Sequence, residues 1–185
     1  MSEIPGFLIR DALEGDIAVC LSLDHKYETE HVWQMQVRNE ELRVEVLFTT
    51  ERLPRVMEVA YPKDEALLRA MLPGNQCFLV MERKDQVGKV LGYLTMRMDR
   101  VYKRGIIQTL VIARGERHRG LGTRLVAVAR RWAKEHDLSQ LTIETQTKNY
   151  PAIRFSQHNG FTFSGFNDQY YPNQDIAVFF SQSLK

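Results

Sequence analysis

The stretch TLVIARGERHRGLGTRL, residues 109–125, changes its apolar period part-way through, and that change limits the folds open to the chain. Thr109 to Ile112 is β-prone and runs into a basic loop. The apolar spacing then turns helical, with Leu121, Leu125, Val128 and Trp132 separated by four, three and four. This predicts a strand ending near Ile112 and an amphipathic helix starting near Gly120, with Arg124, Arg131 and Lys134 on its other faces. In that order the loop meets the unpaired leading N–H groups of the helix and the positive end of its macrodipole. Gly120 and Gly122 lack the Cβ atoms that would hold a ligand off the backbone, and Arg114, Arg117 and Arg119 add positive field and forked donors. A pyrophosphate suits such a loop. The plain alternative is a tight turn beside a solvated basic face, because a lone G-x-G is a short motif.

Two better-known phosphate loops fit less well. Gly120-Leu121-Gly122 is followed 22 residues later by Glu144, as in a dinucleotide fold, but Leu125 stands where the third glycine belongs and seven residues separate Ile112 from Gly120. No Gly-Lys-Ser/Thr is present, so the loop is not a P-loop.

The rest of the chain reads as an α/β protein. Phe7–Arg10 is a short strand, and 14–23 carries Ile17, Ala18 and Leu21 at helical spacing. Alternation over 32–53 predicts two antiparallel strands turning at 39–41, and Pro54 and Pro62 bracket a segment expected to be irregular. Asp64 caps a short helix to Leu72, stopped by Pro73-Gly74. Strands follow at 76–82, 90–98 and 106–113, and after the long helix at 141–147. Asn149 caps a helix over 150–158 with Pro151 in its first turn, and 161–166 and 175–183 supply the last strands. Without repeat or linker, one domain over residues 1–185 is expected.

Charge is informative only locally. The formal total is +2, yet residues 97–134 hold 11 Lys/Arg against two Asp/Glu, a net of +9, and the remainder sums to −7. Residues 1–60 alone carry 12 acidic and six basic side chains. The basic block suits a small anion and the acidic part a cationic amine, although a solvated acidic surface gives the same count. A nucleic-acid role lacks a base-stacking platform. Cys20 and Cys77, 57 residues apart, suggest neither a disulfide framework nor a zinc site, and no histidine spacing suggests a metal. The first residues lack a basic segment of the signal-peptide kind and no apolar run is long enough for a bilayer, so a cytoplasmic protein without membrane attachment is expected.

Taken together, Arg117-His118-Arg119-Gly120-Leu121-Gly122 after a hydrophobic strand resembles the R/Q-x-x-G-x-G acetyl-CoA motif of the GCN5-related N-acetyltransferases (GNAT). ETQTKNYPAIRFSQHNGF, residues 144–161, is similar to the family's strand, Asn-capped helix and Gly-Phe ending. With G-F-N-D and the final DIAVFF, the motifs look most like the streptothricin-acetyltransferase-related branch, and the strong match covers about 88–183. The resemblance implies a single GNAT-like domain: a mixed, mostly antiparallel central sheet flanked by helices, with splayed central strands holding acetyl-CoA. It implies transfer of an acetyl group to a primary amine of a small molecule or peptide, through a tetrahedral intermediate and without a metal. The backbone of Leu110, Val111 and Ile112 would hold pantetheine, and Arg117, His118, Arg119, Gly120, Leu121, Gly122 and Thr123 the pyrophosphate. Asn149 and Ala152 would lie beside the pantetheine.

Glu144 falls where some members place the general base, and a carboxylate near pKa 4.3 is ionised at pH 7. Where the family usually has the tyrosine that protonates the departing thiolate, this chain has Ser156. A serine hydroxyl is a poorer acid than a phenol. Three readings follow: Ser156 relays a proton through water; Tyr150, Tyr170 or Tyr171 substitutes; or the chain is a catalytically weak acyl-CoA-binding module. The 165–175 loop, with Tyr170 and Tyr171, is a candidate acceptor wall, although both rings could equally pack on the core. A homodimer is a family-level expectation.

Overall fold

The computed structural model describes residues 2–4, 6–74 and 76–185, the side chains at 2–4 and 87 excepted. In chain order its elements begin with β1 (Ser2–Ile4), β2 (Phe7–Asp11), α1 (Asp16–Ser22), β3 (Lys26–Glu40), β4 (Arg43–Ala60) and α2 (Glu65–Met71). There follow β5 (Cys77–Arg83), β6 (Gln86–Asp99), β7 (Arg104–Ile112), a single 3-10 turn over Arg114–Glu116 and α3 (Leu121–Glu135). The last are β8 (Gln140–Gln146), α4 (Tyr150–His158), β9 (Thr162–Asn167) and β10 (Ala177–Ser183). The chain divides into two compact units. One holds Met1–His25, Pro62–Glu144 and Ser181–Lys185, the other Lys26–Tyr61 and Thr145–Phe180.

In the first unit the strands hydrogen-bond in the order β1-β2-β5-β6-β7-β8. The β1–β2, β2–β5, β5–β6 and β6–β7 ladders are antiparallel and the β7–β8 ladder is parallel, which makes the sheet mixed and mainly antiparallel. β5 is an apolar run buried on both faces, as a strand covered on two sides must be. Ile17 and Cys20 of α1 and Leu68 and Met71 of α2 pack with Phe78, Val80, Tyr93 and Val111 on one face of the sheet. α3 packs on β5, β6 and β7 through Leu121, Leu125, Val126, Ala129 and Ala133, none of which belongs to that cluster, so it covers the other face. Asp64 caps α2 as expected, accepting from the Leu67 N–H at 2.9 Å.

The second unit is led by β3 and β4, an antiparallel ribbon. It is longer than alternation predicts: β3 starts at Lys26, and β4 runs on to Ala60 through the stretch after Pro54 expected to be irregular. The ladder passes from Thr29↔Met57 to His31↔Arg52, so Glu30 alone stands opposite Leu53–Val56. Pro54, with no N–H to donate, sits inside that irregularity rather than ending the strand. Trp33, Phe48, Phe163, Phe166 and Phe180 form an aromatic cluster with centroid spacings of 5.4–6.0 Å. α4 lies next to β3, and the Trp33 N–H donates to the Thr147 carbonyl at 2.9 Å.

Candidate functional site

The first unit gathers the strand, loop and helix on which the phosphate-loop expectation rests. Along the β6–β7 ladder Thr95 pairs with Thr109, yet the next pair is Met96 with Ile107, so Gln108 is an extra residue on β7. A bulge of this kind bends its strand and interrupts pairing. On the other side of β7, the parallel ladder with β8 runs from Arg104↔Gln140 to Ile107↔Ile143 and stops there, although β7 continues to Ile112. The two strands part at the bulge. Glu144, half-buried, is the first β8 residue beyond the last pair. Thr142, two residues before it, shares a 2.9 Å hydrogen bond with the Ser181 hydroxyl.

Gly92 lies opposite Ile112 on β6. A Cβ there would stand 2.7 Å from the Val111 carbonyl oxygen and 2.6 Å from Ile112 Cδ1, so only glycine lets the two strands approach this closely. The Ala113 N–H then donates to the Leu91 carbonyl at 2.7 Å, and the 3-10 turn leads to Arg117. His118 has φ +61° and Gly120, the residue before α3, φ +75°. No side chain caps α3. The Arg124 N–H is the first to reach back, to the Gly120 carbonyl at 3.1 Å, so the N–H groups of Leu121, Gly122 and Thr123 lead the helix into the loop.

The arginines of the loop are not equivalent. Arg119, exposed, reaches Glu116 at 2.8 Å. Arg114 reaches the Asp24 carboxylate at 3.3 Å. Arg117 is half-buried and turns inward, donating from Nε to the Ile112 carbonyl at 3.0 Å and from Nη2 to the Asp24 carbonyl at 2.6 Å. Asp24 is followed by His25, which is buried, with Nε2 3.1 Å from the Cys20 carbonyl and 3.3 Å from the Tyr93 hydroxyl. Burial holds the His25 imidazole below its ordinary pKa, against an opposing hydrogen bond at Cys20. Cys20 and Cys77 are free and buried, and burial pushes both thiols up to about 12, so neither supplies a thiolate at neutral pH.

The remaining candidates lie in the second unit. Asn149 caps α4, its Oδ1 accepting from the Ala152 N–H at 3.1 Å, with Pro151 in the first turn. Tyr150 is half-buried with its ring 5.3 Å from that of His31. Ser156 is fully buried and its hydroxyl donates to the Ala152 carbonyl at 2.8 Å, one turn back in the same helix. Tyr170 packs edge-on against Tyr171 and Phe179. Asp175 pairs with Lys148 and accepts from Asn173 at 2.9 Å. The Tyr27 hydroxyl is buried without a hydrogen-bond partner, and burial first, then Asp175 and Tyr61, push its pKa up.

Thus Leu110, Val111, Ile112, Arg117 to Thr123 and Glu144 fall in one unit, and Asn149, Tyr150, Ala152 and Ser156 in the other. Gly92, Gln108 and Asp24 escaped the sequence reading. A glycine inside a β-rich run was a signal for the first; nothing signalled the other two. Among the described residues no group of three or more His, Cys, Asp or Glu could hold a metal ion, and no helix is long and apolar enough to cross a membrane.

The model of the acetyltransferase (GNAT) family matches residues 42–161. The chain belongs to the GNAT family. Streptothricin acetyltransferase A of Bacillus subtilis (strain 168) is 32% identical over 133 residues, which cover 66% of this chain and 66% of that protein. N-alpha-acetyltransferase 30 of Xenopus laevis is 31% identical over 97 residues, 52% of this chain and 35% of the other. The chain therefore spans between about a third and two thirds of the length of the curated relatives it matches. Among solved structures, nourseothricin acetyltransferase superposes with a TM-score of 0.84 at 19% identity, over 97% of this chain and 99% of the other. A candidate streptothricin acetyltransferase from Bacillus anthracis str. Ames, in complex with acetyl coenzyme A, gives 0.77 at 21% identity over 96% and 99%. The structural likenesses show the GNAT fold, and the sequence similarity to streptothricin acetyltransferase A agrees with the streptothricin-related branch.

Proposed function

We propose that the protein is an acetyl-CoA-dependent N-acetyltransferase, one domain over 1–185, that acetylates a primary amine of a small cationic molecule or a peptide by direct attack on the thioester. The observation that carries this is the uncapped, glycine-led start of α3, joined by a basic loop to a strand that has parted from its neighbour at Gln108. The fit to an anionic cofactor rests on the same place. A Cβ at Gly120 would meet nothing within 4 Å, so the approach to the leading N–H groups is open, and exposed Arg119 and His118 flank it.

Acetyl-CoA supplies an activated acyl group together with a pyrophosphate that needs neutralising. The backbone of Leu110, Val111 and Ile112, past the last pair with β8, offers peptide groups to pantetheine, and Arg117 to Thr123 form the pyrophosphate segment. The family resemblance adds Asn149 and Ala152, joined by the α4 cap, as further cofactor-binding candidates. Glu144 takes the proton of the incoming ammonium, directly or through water, because an amine attacks only when neutral. The Ser156 hydroxyl proton is engaged at the Ala152 carbonyl, which leaves Tyr150, Tyr170, Tyr171 or a water as candidate proton donors for the thiolate. Support for a cationic acceptor comes from the acidic balance of residues 1–60.

Thiol release from acetyl-CoA, measured with polyamines, amino acids, streptothricin-like amines and peptide N-termini, tests the reading. Turnover should require an amine and fall roughly 100-fold or more in Glu144→Gln, the scale of general-base loss. Buried Ser156 in place of the family's tyrosine favours a second reading, an acyl-CoA-binding module with weak transfer. Tight CoA binding without turnover on any amine would support it.

A further inference from the structure

We propose that Arg117 is a positioning residue: it braces the loop between β7 and α3 from inside and leaves phosphate contact to the backbone and to the exposed side chains. The proposal rests on the reading that this loop holds CoA.

An arginine grips an oxyanion best through the adjacent Nε–H and Nη–H of one edge, which match two oxygens at once. In Arg117 Nε and Nη2 are already directed at the carbonyl oxygens of Ile112 and Asp24, at 3.0 and 2.6 Å. One of these acceptors is the last residue of β7, five positions earlier; the other is 93 positions away, just after α1. The guanidinium therefore spans two elements of the first unit.

Its far abutment is firm. The same Asp24 offers its carboxylate to Arg114 at 3.3 Å, so both ends of the 3-10 turn are tied to one residue. His25, next in the chain, is buried against the Cys20 carbonyl and the Tyr93 hydroxyl, and Tyr93 pairs with Val111 across the β6–β7 ladder. A chain of contacts thus runs from the loop through Asp24–His25 to β6 and back to the end of β7.

The loop needs such support. His118 sits at φ +61°, a conformation that non-glycine residues adopt at a cost, and α3 starts without a side-chain cap. Arg119 provides the contrast: it is exposed on the same loop, with a surface pairing to Glu116 that solvent screens. Arg117 should set the shape of the site and Arg119 its field.

CoA itself is the probe. Binding would be measured by titration calorimetry over a range of salt concentrations, with amide hydrogen exchange of the free protein, for wild type, Arg117→Gln, Arg117→Lys and Arg119→Gln. In Arg117→Gln the brace predicts about tenfold weaker binding, the effect of one lost hydrogen bond of this kind, with an unchanged salt slope and faster exchange over 112–123 before any ligand is added. Arg119→Gln should flatten the salt slope and leave exchange as it was. Arg117→Lys, which keeps the charge but replaces the fork with a single point donor, should likewise weaken binding and speed loop exchange at an unchanged salt slope; it also serves if Arg117→Gln does not fold. A flattened salt slope with wild-type exchange in Arg117→Gln would make Arg117 a phosphate ligand and overturn the brace. Wild-type binding and exchange in Arg117→Lys would do the same. Failure of the wild type to bind CoA would instead remove the functional reading, while the exchange data still decide whether the loop is braced.

Discussion

Arg10 holds Asp16 through two parallel hydrogen bonds, Nη1 to Oδ2 at 2.7 Å and Nη2 to Oδ1 at 3.0 Å, with the carboxylate buried. The same guanidinium reaches buried Glu82 at 3.2 and 3.3 Å, so one arginine joins β2, α1 and β5. Arg10 keeps the Asp16 carboxyl below its ordinary pKa, which means that the unfolded chain binds the proton more readily. The stabilisation is present above about pH 3.9 and is lost as the pH falls through the lower folded value. Arg10→Met should cost about 3 kcal/mol at pH 7 by leaving two buried carboxylates uncompensated. Urea unfolding at pH 7 checks the cost, and a shallower acid limb in the variant checks its origin.

His25 titrates in a different window. Its folded pKa is depressed, chiefly by burial, so the unfolded state takes up the proton first. Stability is complete above about pH 6.5 and declines below it, by about 1.4 kcal/mol for each unit of depression. His25→Gln, which can still donate to the Cys20 carbonyl, should lose this slope. Urea midpoints at pH 7.5 and 5.5 should differ clearly in wild type and little in the variant; equal slopes would assign the titration elsewhere.

Gly92→Ala places a methyl group against the Val111 carbonyl and the Ile112 side chain. Backbone atoms cannot move aside as a flexible side chain can, so the strands must separate. We expect a loss of about 1–3 kcal/mol, the range for overpacked cores, and weaker CoA binding because the displaced residues include Val111. Thermal unfolding and calorimetric titration of one preparation would show both effects, whereas stability loss with wild-type binding would place the strain away from the loop.

Ser156→Tyr restores the residue type usual in the family at a position that is fully buried. A phenol in place of a hydroxymethyl group bonded to Ala152 must displace α4 or its neighbours. A destabilisation of about 1–3 kcal/mol is expected. Gain of turnover without that loss, in parallel assays of melting and thiol release, would mean that α4 has room for the ring.

The β7–loop–α3 unit was readable because its two halves follow different periods, and the α4 start because Asn149 and Pro151 stand where a cap and first turn need them. Three features left no trace. A one-residue insertion at Gln108 is invisible in a strand with apolar residues on both faces. The Arg117–Asp24 bond joins residues 93 positions apart with no pattern between them. The direction of the Ser156 hydroxyl depends on a competition between its own helix backbone and any outside partner, which spacing cannot decide. Pro54 misled for the opposite reason: it is a strong local signal, but the ribbon absorbs it in a bulge.

The extra residue at Gln108 also inverts the parity of β7. Before it, odd-numbered Ile107 shares the face of Met96; after it, odd-numbered Thr109 and Val111 share the face of Thr95 and Tyr93. The strand is two half-strands out of phase, and the phase change falls at the level where β8 departs. Deleting a single residue there would put the halves back in phase, turn Val111 and Leu110 each to the opposite side of the sheet, and remove the reason for β7 and β8 to part. The opening is written as a count of peptide units rather than as any one side chain.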